Sequence, residues 1–290
     1  VAAFAFVFGI FPFACVMYHL RDPALRSPGI PASAKWIHRR FSPRYEVWAR
    51  DRVESGRATQ LTKAQLVETE WPVFGSAFYL WATEAMLEGE ATPDYAWGAI
   101  EAATALLADP GHAQWVREHW GEDYLWRENV FFRMLLLSGL DTHRTLTQSD
   151  QHSVSIAELS AALAQDILDS PAGLLEDYPG ECYPGDVLAG IAAILRTNTA
   201  LPGGRESFRL AARCGFEGDR LDPDLGLPPY SAMRRSGDPI QIARGCGNAY
   251  VTFLAPEVWP DTAVDWYRQF ETHFWQERFG AVGFREYPRG

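Results

Sequence analysis

The chain has 290 residues, is 47% hydrophobic and 22% charged, and carries a formal net charge of -11. That composition belongs to a globular chain with ample core and excludes general disorder. The acidic balance, with no long run of Lys or Arg, excludes nucleic acid as the main partner.

The first segment is the most apolar. "VAAFAFVFGIFPFACVMY", Val1 to Tyr18, contains no charged residue, and its length lies at the lower edge of a membrane span. Residues 1–20 are expected to form a transmembrane or anchor helix, and the opening Val suggests a span that extends upstream. Arg21, Arg26, Lys35, Arg39 and Arg40 follow it. The positive-inside rule would put the following segment in the cytoplasm, but it does not fix the side when upstream helices are not known. The expected location is membrane-associated. Residues 21–60, rich in Pro, Arg and Ser, read as a connector with short helical pieces.

Residues 61–290 read as one helical domain. Thr62 and Gln65 form a capping box before "WPVFGSAFYLWATEAM", with Pro72 near the first turns. Thr92 and Pro93 read as N-cap and first helical residue of a helix that stops at "DPG". "YLWRENVFFRMLLLSG" is strongly apolar, and Ser155 with Glu158 forms a second capping box before "IAELSAALAQDIL". Further helices are expected near Asp186 and near Gly204. The stretch 221–246 reads as a hairpin or long loop around a Ser-Gly-Asp turn. Helical pattern returns at "GNAYVTFLA" and "DTAVDWYRQFETHFW", and "AVGFREYPRG" looks extended. Paired helices with short stops and no sheet indicate an all-α fold, either a bundle or an (α/α) barrel of helical hairpins with a short β-hairpin-like insertion.

Four stretches carry candidate chemistry. "EDYPGECYPGD" places Tyr178, Glu181, Cys182, Tyr183 and Asp186 around two Pro-Gly pairs at the start of a helix. Asp186 there is either an N-cap or a functional acid. A carboxyl or thiol in an apolar pocket gains proton affinity, which suits proton transfer near neutral pH. "RENVFF" embeds Glu128 and Asn129, followed by Phe131, in a very apolar helix. Such polar groups either bridge helices or line a site. "GCGNAY" combines two glycines that permit close backbone approach with Asn248 and Tyr250. Glu70, before Trp71-Pro72, either caps a helix or lines a pocket. The four cysteines, Cys15, Cys182, Cys214 and Cys246, form no CxxC pair, and no HExxH occurs, so neither a zinc site nor a disulfide framework is indicated.

In order and spacing, these blocks resemble the linalool dehydratase/isomerase family across roughly residues 62–288. "RENVFFRMLLLSGL", "YPGECYPGDVLAGIAAIL" and "RRSGDPIQIARGCGNAYVTFLAPEV" carry the resemblance, with "AFY" at 77–79 as a fourth block. It implies an α/α barrel and cofactor-free dehydration or isomerisation of small apolar alcohols. The family's pocket tyrosine falls on Tyr250. Its active-site histidine falls on Leu135, and its catalytic cysteines fall near Glu176 and Gly185, so the chain resembles a relative with altered site chemistry. Family chains also continue past the segment similar to "GFREYPRG", which implies a barrel lacking its last hairpins.

The expected function is a cofactor-free lyase or isomerase acting on a small apolar alcohol or isoprenoid. Glu181, Cys182 and Asp186 are the candidate acid/base groups. Tyr250, Asn129, Tyr183, Tyr178, Asn248, Phe131 and Glu70 are candidate substrate contacts. No metal or cofactor is expected. The expected partners are a small apolar substrate and the membrane, and the composition is compatible with a homo-oligomer. The alternatives are a carbohydrate-active barrel enzyme using two of Glu70, Glu128, Glu181 and Asp186, or a membrane-tethered domain without catalysis.

Overall fold

The computed structural model describes residues 6–62, 64–87, 91–197, 199–278 and 280–289. Among these the chain is mostly helical, with two short antiparallel β-hairpins. Helix α1 (Phe11–Leu20) follows a π turn over Phe6–Ile10, and neither has a buried residue. No helix among the described residues is long and apolar enough to cross a membrane. Residues 1–5 of the expected anchor lie outside the described residues.

The connector expected over 21–60 is instead dominated by one helix of 23 residues, α2 (Ala32–Glu54). Its inward face is His38, Ser42, Tyr45 and Ala49, which share one side at helical spacing. That face is largely polar, so hydropathy does not reveal it. It binds α3 (Leu66–Leu87) through hydrogen bonds. Tyr79 donates to Ser42 Oγ at 2.8 Å, Tyr45 donates to Ser76 Oγ at 2.6 Å, and His38 Nε2 lies 2.8 Å from Thr83 Oγ1. Pro72 lies inside α3, and the Gln65 side chain accepts the Thr62 N–H at 3.0 Å, half of the expected capping box.

Helix α4 (Asp94–Ala108) starts one residue later than expected, because the Thr92 hydroxyl donates to the Leu146 carbonyl and does not cap. Next come α5 (Gln114–Trp120), α6 (Val130–Thr147) and α7 (Ser153–Asp169). Ser155 falls inside α7, so the expected capping box with Glu158 does not form. The helix begins instead at Ser153, after His152 in the N-cap place, with no side-chain cap. Helices α8 (Pro184–Arg196) and α9 (Arg205–Ala212) begin close to the expected points. The 221–246 stretch forms the expected hairpin, β1 (Ser231–Ala232) against β2 (Pro239–Gln241). Helices α10 (Gly245–Val258) and α11 (Pro260–Phe274) follow, and the chain then pairs β3 (Trp275–Arg278) with β4 (Ala281–Phe284).

The helices form two rows. Helices α3, α6, α8 and α10 pack in succession, each against the next. Helix α4 packs on α3 and α6, α7 on α6 and α8, α9 on α7 and α8, and α11 on α10. The core between the rows is rich in Ala, Leu and Ile, including Ile100, Leu107, Leu137, Leu163 and Ile191. Gly245 shows why its site is glycine: a Cβ there would overlap the Arg285 carbonyl oxygen, so the start of α10 lies directly against the C-terminal segment.

Candidate functional site

The first row of helices carries a cavity of about 770 Å³. Its walls come from α3, α6, the 177–186 segment, the 228–230 loop and α10, and none of the second-row helices contributes to them. One side is aromatic. Phe74 stacks on Phe78 with ring centres 4.3 Å apart and faces Phe131 at 5.9 Å. Tyr250 lies within 6.1 Å of both Phe78 and Trp81. Trp71, 61% exposed, and Phe253 stand at the mouth. A wall of this kind holds an apolar ligand and keeps water out.

The polar side is built from one short segment. Pro179 and Gly180 occupy the centre of a tight turn, with Gly180 at φ +87° and the Glu181 N–H donating to the Tyr178 carbonyl at 2.9 Å. Pro presets the first central position, and Gly supplies the positive φ at the second. The turn folds the chain back, so the Asp177 N–H donates to the Glu181 carbonyl at 2.9 Å. The Tyr183 N–H then donates to Asp177 Oδ2 at 2.9 Å. Pro184 starts α8, which puts Asp186 in its first turn beside Asp177.

Asp177 and Asp186 interact through their carboxyl groups. Asp177 Oδ1 finds no N–H or O–H donor among the described residues. Two carboxyls in that position bond to each other only when one holds a proton. Burial pushes Asp177 well above the usual carboxylate range, and the nearby Asp186 charge adds to this. Burial likewise pushes Asp186 up, to about 7, partly offset by its bond to Asp177. Across the wall, burial raises Glu70, while the Tyr178 hydroxyl partly offsets the shift and the Glu181 charge reinforces it. Burial also raises the Tyr250 phenol, with the Asp186 and Asp177 charges adding to it. The Tyr250 hydroxyl donates to Met134 Sδ at 3.5 Å, a weak acceptor. Burial thus favours the protonated forms of the acids in this wall.

The structure gathers Asp186, Tyr250, Tyr183, Tyr178, Phe131 and Glu70 in the cavity wall. It leaves four expected residues outside it. Cys182, 3% exposed, packs in the core, and burial raises its thiol far above the range of a reactive cysteine. In an extended run, alternate side chains point to opposite sides, so Cys182 turns inward between Glu181 and Tyr183. Glu181 is exposed and accepts the Tyr183 hydroxyl at 2.7 Å, so it acts on the wall through Tyr183. Asn129 is buried at the start of α6 and donates to the Tyr124 carbonyl. Asn248 donates to the Pro228 carbonyl at 3.1 Å and so ties the 228–230 loop to α10. Glu128 is bound by Arg234 and accepts the Glu176 N–H at 3.1 Å, which anchors the segment leading into Asp177. Asp186 is not the N-cap of α8. Tyr183 holds that place, with no side-chain cap.

A scan against protein-family models and a search of curated proteins found no match to this chain. Its site therefore has to be read from its own residues. Asp177, Tyr230, Trp71 and Phe74 also belong to the wall, though the sequence did not single them out. Tyr230 is held edge-on by Tyr183 at 5.3 Å and lies under the Arg244 guanidinium at 4.3 Å. Among the described residues, no group of three or more His, Cys, Asp and Glu is placed to hold a metal ion.

Cys182→Ala is expected to leave any turnover within about threefold of the parent and to lower stability by about 1–2 kcal/mol, from lost core packing. Parallel assays and thermal melts of the variant check this.

Proposed function

We propose that the chain is a lyase or isomerase that removes or moves a hydroxyl group on a small apolar alcohol, in the manner of the linalool dehydratase/isomerase family it resembles. The observation that carries this is a pair of adjacent aspartates set in the wall of an aromatic cavity, where burial raises both carboxyls. The two rows of helices, with the cavity on the first row alone, support an arc of an α/α barrel. The exposed Phe6, Phe8, Phe11 and Phe13 support association of the N-terminal segment with a membrane, where such substrates partition.

The chemistry is a closed proton cycle. The pair starts with one shared proton. Asp186 gives it to the departing hydroxyl, the C–O bond breaks and water leaves. The developing positive charge on carbon faces the rings of Phe74, Phe78 and Tyr250, which stabilise it. The carboxylate just formed takes a proton from the adjacent carbon, the alkene forms, and the pair regains its proton. Asp177, anchored by the Tyr183 N–H, positions Asp186 and stays a carboxylate throughout, so between the two transfers both carboxylates face the cation. Tyr250 and the Glu70–Tyr178 couple orient the substrate hydroxyl.

The test is incubation of the full chain with a panel of small branched and allylic alcohols, with product analysis by gas chromatography. Alkene or rearranged alcohol that depends on Asp186 supports the proposal. No product from any member, together with turnover of a sugar substrate, overturns it in favour of a carbohydrate-active site.

A further inference from the structure

A second cavity, of about 460 Å³, lies where the end of α2, the tight turn Arg57–Gln60, the first turns of α3 and the loop before α5 meet. It shares no lining residue with the aromatic cavity. Its polar lining is Arg52, Ser55, Arg57, Gln60, Glu68 and His112.

His112 is 2% exposed. Its Nδ1 lies 2.7 Å from Asp109 Oδ2, which also accepts the His112 backbone N–H at 3.2 Å. The carboxylate fixes the ring with Nδ1 as donor, and leaves Nε2 to the cavity. That Nε2 is buried and finds no hydrogen-bond partner among the described residues. Arg52 also has an unpartnered nitrogen. Its Nη2 donates to the Glu68 carbonyl at 2.6 Å, but its Nε–H is buried with no partner among the described residues. Buried polar atoms are almost always bonded, and an exception at a cavity wall calls for a ligand. Here two residues from different elements, each with a buried nitrogen unpartnered among the described residues, line one cavity beside a second cationic side chain, Arg57.

We propose that this cavity binds a tetrahedral oxyanion, a phosphoryl or sulfuryl group, held by the Arg52 Nε–H, the Arg57 guanidinium and the protonated Nε2–H of His112. Donors that line one cavity from a helix, a turn and a loop suit a group with several acceptor oxygens better than a planar carboxylate. Binding draws a proton onto His112. In the free protein, burial holds its imidazole below the usual range, Asp109 opposes that shift, and the Arg52 charge adds to it. The charged groups around the ring are Asp109 on its own loop, Arg52 on α2, Arg57 on the turn and Glu68 on α3. Burial is the main cause that keeps His112 neutral; an oxyanion at the cavity offsets that cost by giving the charged ring a partner, and it also cancels the smaller Arg52 repulsion. The site is independent of the proposed reaction at the aromatic cavity.

Isothermal titration of the full chain with sodium sulfate, at fixed ionic strength, tests it. Sulfate is doubly charged throughout the working range, so any pH dependence belongs to the protein. One saturable site is expected, with affinity falling about tenfold between about pH 5.5 and about pH 8. Arg52→Gln and His112→Gln are each expected to weaken binding by about tenfold, and His112→Gln to remove the pH dependence. Arg57→Gln changes an exposed side chain and is expected to weaken binding severalfold even if the buried variants do not fold. Absence of saturable binding at both pH values overturns the proposal, as does unchanged affinity in Arg57→Gln. Tighter binding of acetate than of sulfate overturns the tetrahedral assignment.

Discussion

Asp186→Asn is expected to lower turnover of a responsive alcohol by about 10²- to 10⁴-fold, the usual worth of a positioned general acid or base. Asp177→Asn is expected to fall in the same range, because one proton held between two carboxyls is a property of the pair. Asn keeps the acceptor for the Tyr183 N–H, so the segment retains its shape and the loss reports chemistry. Activity of the parent is expected to decline as pH rises through about 7, where Asp186 gives up its proton. Stability follows the same groups. Both carboxyls bind protons more tightly in the folded chain than at the ordinary value of about 3.9 in an unfolded one. Their contribution to stability is therefore complete below about pH 4 and is lost as pH climbs through about 7. At about pH 8 the parent carries buried charge that Asp177→Asn lacks, so the variant is expected to melt higher there and no higher at about pH 4. Full turnover in both variants would remove the pair from the mechanism. A parent melting temperature that does not change across this range would remove the buried charge.

Asp222→Ala is expected to destabilise the fold by about 3–5 kcal/mol. Asp222 is buried, and its carboxylate accepts three backbone N–H groups. Oδ1 takes those of Asp224 and Leu225, each at 3.1 Å, and Oδ2 takes that of Ala243 at 2.7 Å. Its own N–H donates to the Leu227 carbonyl, which closes the loop. Ala leaves those donors unbonded, two of them fully buried, and unsatisfied buried donors cost about 1–3 kcal/mol each. The loop carries Pro228, Pro229 and Tyr230 into the cavity wall, so ligand affinity is expected to fall along with stability. Asp222→Asn keeps acceptor capacity on one oxygen and is expected to lose about half as much. Chemical denaturation of the three proteins checks the order. Equal stability of parent and Asp222→Ala would show that the loop bears no such load.

The helices that were legible in the sequence are those with apolar faces or strong punctuation. Pro184 marks the start of α8, and the Ser-Gly-Asp turn marks the hairpin. Helix α2 was not legible, because its inward face is His38, Ser42 and Tyr45, and those residues pair with partners that are remote in sequence. The helix starts at Thr92 and Ser155 were misplaced for a related reason: a hydroxyl that can cap can also bond elsewhere, as Thr92 does to Leu146. At the site, the position of the "YPGECYPGD" segment was legible, but its inside and outside were not. Asp177 attracts no notice as one acid among several, and only the backward fold over Pro179-Gly180 brings it to Asp186. Cys182 stands out by chemical type, yet alternation along the extended run turns it into the core. Tyr230 and Phe74 reach the wall from elements far apart in the chain, which no local pattern reveals.

Both aspartates of the cavity wall lie in a single continuous segment, 177–186. The aromatic half is drawn from α3, α6 and α10. Under the proposed reaction, the acid pair and most of the ring wall are therefore encoded in separable stretches. A substitution at Phe253, which the proposed proton cycle does not use, is then expected to change which alcohols are accepted while leaving the acid pair in place.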